Sequence, residues 1–288
     1  CVALWHYGAI GILHRFMTIE ENVAQYRNVR KLSANCVVSV GVGEESKARF
    51  NDLYEYGAKI FCIDVAHGHS KKMKDMLSWV KKSYQDTFVI AGNVATPYGV
   101  KDLTEWGADI IRVGISNGSA CSTRKITAHG VPQFSCILNC SEFADELGIK
   151  IIADGAIKTS GDAIKGLMAG ADYIMAGSML AGTDEAPGEI ITPGDGFKYK
   201  VFRGASSRDV ILANRTNKSF IPVAEGVSTK IKLKGPVKLI LEDFHKGLQS
   251  GMSYMNARTI DEISVKGRWG VQTQNGFRDG MPYVLDEK

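Results

Sequence analysis

One thiol in this chain stands where a nucleophile would be placed. The run Val113-Gly114-Ile115-Ser116-Asn117-Gly118-Ser119-Ala120-Cys121-Ser122-Thr123-Arg124 sets Cys121 among hydroxyls and close in sequence to a guanidinium. A thiolate attacks far faster than a thiol, and a neighbouring cation or free backbone N–H groups favour the thiolate. Gly114, Gly118 and Asn117 allow tight turns of positive φ, so the spacing predicts a loop leaving the apolar strand Ala108–Ile115. A lone loop cysteine also reads as a small apolar residue filling a turn. The loop glycines and the segments further along favour the nucleophile.

Other polar residues end other apolar runs. Asp154-Gly155-Ala156-Ile157 and Ala176-Gly177-Ser178-Met179 are small-residue loops of the kind that bind phosphate through backbone N–H groups, with Ser119 and Ser178 as hydroxyl donors. Either loop alone reads equally as a tight turn relieved by glycine. Asp154 is badly placed against a phosphate and suits hydroxyl groups such as a ribose diol. Asp64, His67 and His69 have no standard metal-ligand spacing. Asp64 is read as a hydrogen-bond acceptor for a second ribose or an amide, and the two histidines, His69 above all, as partly exposed loop residues. Asn93 either orients a ligand or caps the helix that begins around Thr96-Pro97. Glu225, between Ala224 and Gly226, either exchanges protons with Thr123 or water, or is a surface turn glutamate.

The elements that must position these residues alternate. Tyr56-Gly57-Ala58-Lys59, Trp106-Gly107-Ala108-Asp109 and Ala169-Gly170-Ala171-Asp172 each stop a helix and lead into a buried strand. Seven strands are predicted, near 10–15, 37–42, 59–64, 88–92, 109–115, 151–154 and 173–177. Nearly continuous apolar strands separated by amphipathic helices indicate a parallel sheet covered by helices. A (β/α)8 barrel needs eight strands, and the first is expected to lie before Cys1. A doubly wound open sheet is the competing architecture. The barrel is favoured because it gathers Asp64, Asn93, Cys121, Asp154 and Ser178 on one face. Thr18 and Glu21 form a capping box that opens a helix to about Lys31, and Gly57 closes another that starts at Glu44. After Glu189 the rhythm breaks into hairpins and a flap, a helix follows from Gly235-Pro236 to Gly251, and the tail from Trp269 is expected to be irregular and to depend on a partner for order.

Composition narrows the function classes. A net charge of +4 with no dense basic block gives no case for nucleic acid, and the alternating Lys230-Ile-Lys-Leu-Lys234 describes a half-exposed strand, with a basic face for a phosphate or an acidic partner as the weaker reading. Six cysteines without a CxxC pair or zinc spacing point to a reduced, cytoplasmic setting. No apolar run is long enough to predict a membrane span.

Taken together, four motifs resemble the IMP dehydrogenase/GMP reductase family: Gly-Ile-x-x-Gly-Ser-x-Cys121-x-Thr-Arg, Asp154-Gly-Ala-Ile-x-x-Ser-Gly-Asp, Gly177-Ser-Met-x-Ala-Gly-Thr-x-Glu-Ala-Pro-Gly-Glu and Arg203-Gly-Ala-Ser-Ser. The resemblance covers essentially the whole chain. It implies one catalytic (β/α)8 barrel over 1–288 with a flap at about 190–235, and a purine nucleotide monophosphate, a nicotinamide cofactor and a homotetramer. It implies that Cys121 attacks purine C2 and that Thr123 and Glu225 move protons. Ser119, Gly155, Ala156, Gly177 and Ser178 would hold the 5′-phosphate and Asp154 the ribose. Arg203, Gly204, Ala205 and Ser206 would meet the base, and Asp64, His67 and Asn93 the nicotinamide side. A potassium ion would sit on the carbonyls of Gly114, Ser116 and Cys121.

The GMP reductase branch, working with NADPH, is the nearer one. Residues 27–40 leave no room for a CBS regulatory domain, and the segment from Ser207 to Glu225 lacks the Arg-Tyr pair with which IMP dehydrogenases activate water. Arg215 is followed by Thr216, and Phe220 by Ile221. The alternatives are an IMP dehydrogenase without its regulatory domain and an inactive nucleotide-binding relic. The chain departs from the family at Ser116-Asn117, where Gly-Pro is usual, at Ala156 in place of glycine, and at Ala205 in place of methionine; Ala186-Pro-Gly-Glu189 and Arg203 lean towards the dehydrogenase.

Overall fold

The computed structural model describes residues 1–194, 196–213 and 223–281. The predicted alternation is present. Strands β1 (Gly11–Leu13), β2 (Cys36–Val40), β3 (Ile60–Asp64), β4 (Phe88–Val94), β5 (Ile110–Val113), β6 (Lys150–Asp154) and β7 (Tyr173–Met175) form one sheet in chain order. Every neighbouring pair is parallel. The helices are α1 (Val2–His6), α2 (Ile19–Lys31), α3 (Glu44–Glu55), α4 (Lys71–Ser83), α5 (Pro97–Glu105), α6 (Thr123–Thr127), α7 (Gln133–Leu147) and α8 (Ser160–Met168).

The strands are apolar on both faces because both faces are covered. Val38, Phe61, Ile111 and Ile151 point outward into the layer shared with the helices. Their neighbours Val37, Cys62, Ile110 and Ile152, with Ile90, make a second, smaller cluster on the concave side, against Ile12, Ile60 and Met175. Side chains alternate across a strand, so two separate apolar clusters are what a curled sheet with a filled interior requires. The architecture is that of a (β/α)8 barrel with seven strands present; among the described residues β1 and β7 are the two edges.

Helix ends follow local chemistry. Thr18 Oγ1 accepts from the Glu21 N–H while the Glu21 carboxylate accepts from the Thr18 N–H, and α2 runs to Lys31 as expected. Beyond β7 come β8 (Tyr199–Arg203), α9 (Arg208–Ala213), β9 (Ser228–Lys232), α10 (Val237–Tyr254), α11 (Asp261–Lys266) and α12 (Gln274–Asp279). Strands β8 and β9 pair antiparallel, the hairpin the sequence indicated. The buried Lys200 ammonium fastens that hairpin to the carbonyls of Thr183, Asp184 and Ala186 at 2.6–3.0 Å.

Two expectations need correction. Helix α10 does not stop at Gly251, because there glycine admits a close helix approach: a Cβ would lie 2.9 Å from Ile164 of α8. The tail after Trp269 is not wholly irregular, since the Thr273 side chain caps α12. Asp195 and the stretch 214–222, which includes Arg215-Thr216 and Phe220-Ile221, lie outside the described residues.

Candidate active site

The C-terminal strand ends carry the residues singled out above. Asp64 closes β3, Asn93 is the penultimate residue of β4, β5 opens into the Cys121 loop, Asp154 closes β6, and Gly177-Ser178 follows β7. The strands are parallel and in sequential order, so all five strand ends lie on one rim. The exit of β5 passes directly against β6. Gly114 has φ of 142°, and a Cβ there would sit 2.2 Å from the Asp154 carbonyl oxygen, so no other residue fits.

Cys121 is exposed, and its thiol donates to Thr123 Oγ1 at 3.2 Å, with Ser116 Oγ further off at 3.9 Å. The left-handed turn falls on Ser116, at φ 65°, and neither Asn117 nor Gly118 has positive φ as expected. The reason is visible in the bonding: Ser116 Oγ accepts from the Arg124 N–H at 2.7 Å and ties the loop to the start of α6. The Arg124 guanidinium donates to Asn117 Oδ1, so it serves the loop's shape and makes no hydrogen bond to the thiol.

Backbone hydrogen bonds draw three distant segments around the thiol. Ser122 N–H donates to the Glu225 carbonyl at 2.8 Å, and Val227 N–H to the Ala120 carbonyl at 2.9 Å. Glu225 N–H donates to Ser206, and Gly204 N–H to Val227. Cys121 and Gly226 form an antiparallel bridge, and Gly226 also bridges Ser207. The Cys121 loop, the Arg203-Gly204-Ala205-Ser206 segment and the return through Glu225 are therefore one knot. Within it Arg203 and Ala205 are exposed, while Ser206 and Glu225 are half-buried.

A charged cluster lies across the mouth. Arg112, on β5, donates through Nη1 to Asp64 Oδ1 and through Nη2 to Asp154 Oδ2, both at 2.6 Å. Asn93 Nδ2 donates to the same Asp154 oxygen at 2.7 Å and to the Gly114 carbonyl at 2.8 Å. Burial works against the guanidinium charge, but Asp154, Cys62 and Asp64 more than offset it, so the pKa of Arg112 rises and the group stays charged. Asn93 Oδ1 and Arg112 Nε are buried without a partner among the described residues.

Ser119 Oγ and Ser178 Oγ are 2.7 Å apart on the exposed side of the two small-residue loops. Gly155 and Ala156 both have positive φ, and the Ala156 N–H donates to the Asn117 carbonyl, which ties this loop to the Cys121 loop. Behind Ser178 lies a cation: Lys234 Nζ donates to the Ser178 and Met179 carbonyls at 3.1 and 2.9 Å. Burial lowers its pKa.

One alternative is not met. The helix after Asn93 is capped by Thr96, whose Oγ1 accepts from the Gly99 N–H, and Asn93 faces Asp154 instead. His69 is a partly exposed loop residue, as read, and its Nε2 pairs with Asp102 on α5 at 2.8 Å. His67 is exposed, as read. Two residues had escaped sequence reasoning. Arg112 had a signal, a lone charge inside Ile110-Ile-Arg-Val113, where an unpaired cation could not stay buried. Lys234 lay within the alternating lysines, which read as a half-exposed strand and only secondarily as a basic face for a phosphate.

A family model described as the IMP dehydrogenase / GMP reductase domain matches residues 1–283. An inosine-5′-monophosphate dehydrogenase of Nitrosopumilus maritimus is 38% identical over 254 residues, covering 85% of this chain and 53% of its own length. That of Aquifex aeolicus is 40% identical over 249 residues, covering 84% and 50%. Among solved structures, GMP reductase from Trypanosoma brucei in complex with guanosine 5′-monophosphate superposes with a TM-score of 0.82 at 37% identity, over 88% of this chain and 53% of that one. The chain thus spans about half the length of the curated relatives it matches. With the rim residues in place and the match running almost end to end, the chain belongs to the IMP dehydrogenase/GMP reductase family.

Proposed function

We propose that the protein is a GMP reductase: GMP, NADPH and two protons give IMP, NADP+ and ammonium. The observation that carries this reading is the knot that holds the Cys121–Thr123 pair, 3.2 Å apart, against the backbone of Glu225. Cys121 as thiolate attacks C2 of the purine, and the 2-amino group leaves as ammonia. Thr123 and Glu225 carry the protons that make it a leaving group. A bound nicotinamide cofactor would supply hydride to the same carbon, and Cys121 would then leave as the thiolate. Asp154 holds the ribose hydroxyls, and Ser119, Gly155, Ala156, Gly177 and Ser178 surround the 5′-phosphate. Because the Ala156 N–H is committed to Asn117, the Gly177-Ser178 side, with Lys234 behind it, carries more of the anion. Arg203, Gly204, Ala205 and Ser206 line the base.

Asp64, His67 and Asn93 would hold the cofactor. A potassium ion enters no step; of the three carbonyls expected to hold it, that of Gly114 accepts from Asn93. The path from α2 to β2 crosses only Leu32 to Asn35, which supports a barrel uninterrupted at that point. A homotetramer is part of the same reading.

IMP dehydrogenase is the second reading, favoured by the names of the relatives above. The covalent scheme is tested by Cys121→Ala. The variant is expected to bind GMP yet to lose hydride transfer by at least ~1,000-fold, as removal of a nucleophile does. Turnover of GMP close to that of the unaltered protein would sink the scheme.

A further inference from the structure

The proposed reading assigns Asp154 to the nucleotide and Asp64 to the dinucleotide, and Arg112 touches both. One guanidinium nitrogen reaches Asp64 Oδ1 and another Asp154 Oδ2, at 2.6 Å each. The fork is planar and rigid, so a shift at one carboxylate is felt at the other. The arginine side chain is only 11% exposed, with no second cation hydrogen-bonded to either carboxylate among the described residues. Each carboxylate has one oxygen on Arg112. The others, Asp64 Oδ2 and Asp154 Oδ1, accept no hydrogen bond from the described residues and are available to ligand hydroxyls. Asn93 adds a further hold on Asp154, since its amide N–H donates to the same carboxylate oxygen and to the Gly114 carbonyl.

We infer that Arg112 is a positioning residue that couples the two subsites, so that filling one changes the affinity of the other. A ligand hydroxyl on Asp154 draws that carboxylate into one rotamer, which sets where the fork sits and how Asp64 presents its free oxygen. Coupling of this kind is reciprocal: the factor by which nucleotide changes dinucleotide affinity equals the converse factor. A merely structural arginine would change stability and both affinities, yet leave that factor alone.

The inference rests on the proposed function, and the test separates the two. NADPH binding to the full-length protein is followed by its fluorescence, with and without IMP, a pair between which no hydride passes in the proposed reaction. IMP is expected to change the NADPH dissociation constant about fivefold or more, the usual size of such couplings. In Arg112→Lys the charge remains, but one ammonium cannot form the same two-armed bridge, and the factor should fall to within about twofold of unity. A factor unchanged in Arg112→Lys would overturn the inference while leaving the proposed function standing. Should that variant not fold, Asp154→Asn decides the matter. It must alter NADPH affinity although it lies in the nucleotide subsite, and an NADPH affinity equal to that of the unaltered protein would overturn the coupling. Failure of the unaltered protein to bind either ligand would overturn the proposed function and the inference together.

Discussion

Cys121 differs from the other five cysteines in ways that a reagent can read. Cys36, Cys62, Cys136 and Cys140 are buried and Cys1 is half-buried, while Cys121 is exposed. Burial pushes the Cys36 and Cys62 thiols up to about 11. Relative to an unburied thiol this cuts their thiolate fraction at neutral pH by a factor of about 100, before access is considered. Iodoacetamide at pH 7 should therefore label Cys121 first, and GMP should slow that labelling; peptide mass spectrometry showing Cys36 or Cys62 alkylated as fast would contradict the assignment. At this scale much of the site was legible. Cys121, Asp154, Asp64 and Ser178 stand where a polar residue ends an apolar run, and that pattern is visible in one dimension. The pairing of Arg112 with two aspartates was not, because its partners lie 48 and 42 positions away in sequence and meet it only across the sheet. For the same reason the choice for Asn93 between ligand and helix cap stayed open until Thr96 was seen to cap α5.

Elements were easier to read than contacts between them. The seven strands announced themselves as short apolar runs, five of them after a Gly or Gly-Ala stop, and the capping box at Thr18 marks the start of α2. Replacing Thr18 with alanine removes the acceptor for the Glu21 N–H and should cost about 1 kcal/mol, seen as a lowered Tm with kinetics unaltered. Gly92 is a different matter. A Cβ there would lie 2.6 Å from the Arg112 Cβ and 2.8 Å from its carbonyl oxygen, between β4 and β5. Gly92→Ala must push those strands apart, with an expected loss of about 1–3 kcal/mol and weaker binding of both ligands. A variant with the stability and affinities of the unaltered protein would show that the Arg112 region tolerates displacement. What the sequence could not tell was that glycine continues α10 at Gly251, because the requirement comes from α8 rather than from the helix itself.

At the level of the whole molecule, the barrel architecture followed from alternation, and its interior from strands apolar on both faces. The flap was less legible: hairpins were foreseen after Glu189, but not the attachment of the β8–β9 hairpin through Lys200. No helix among the described residues is long and apolar enough to cross a membrane. In the proposed scheme, the choice between reductase and dehydrogenase depends on which group would meet the purine C2 adduct, and that is a property of the assembled site. It is tested most directly by following NADPH absorbance with the full-length protein and GMP, with IMP plus NAD+ as the paired reaction. GMP-dependent loss of NADPH with one ammonia released per NADPH consumed is the predicted result. NADH formation from IMP, with no reaction of GMP and NADPH, would contradict it.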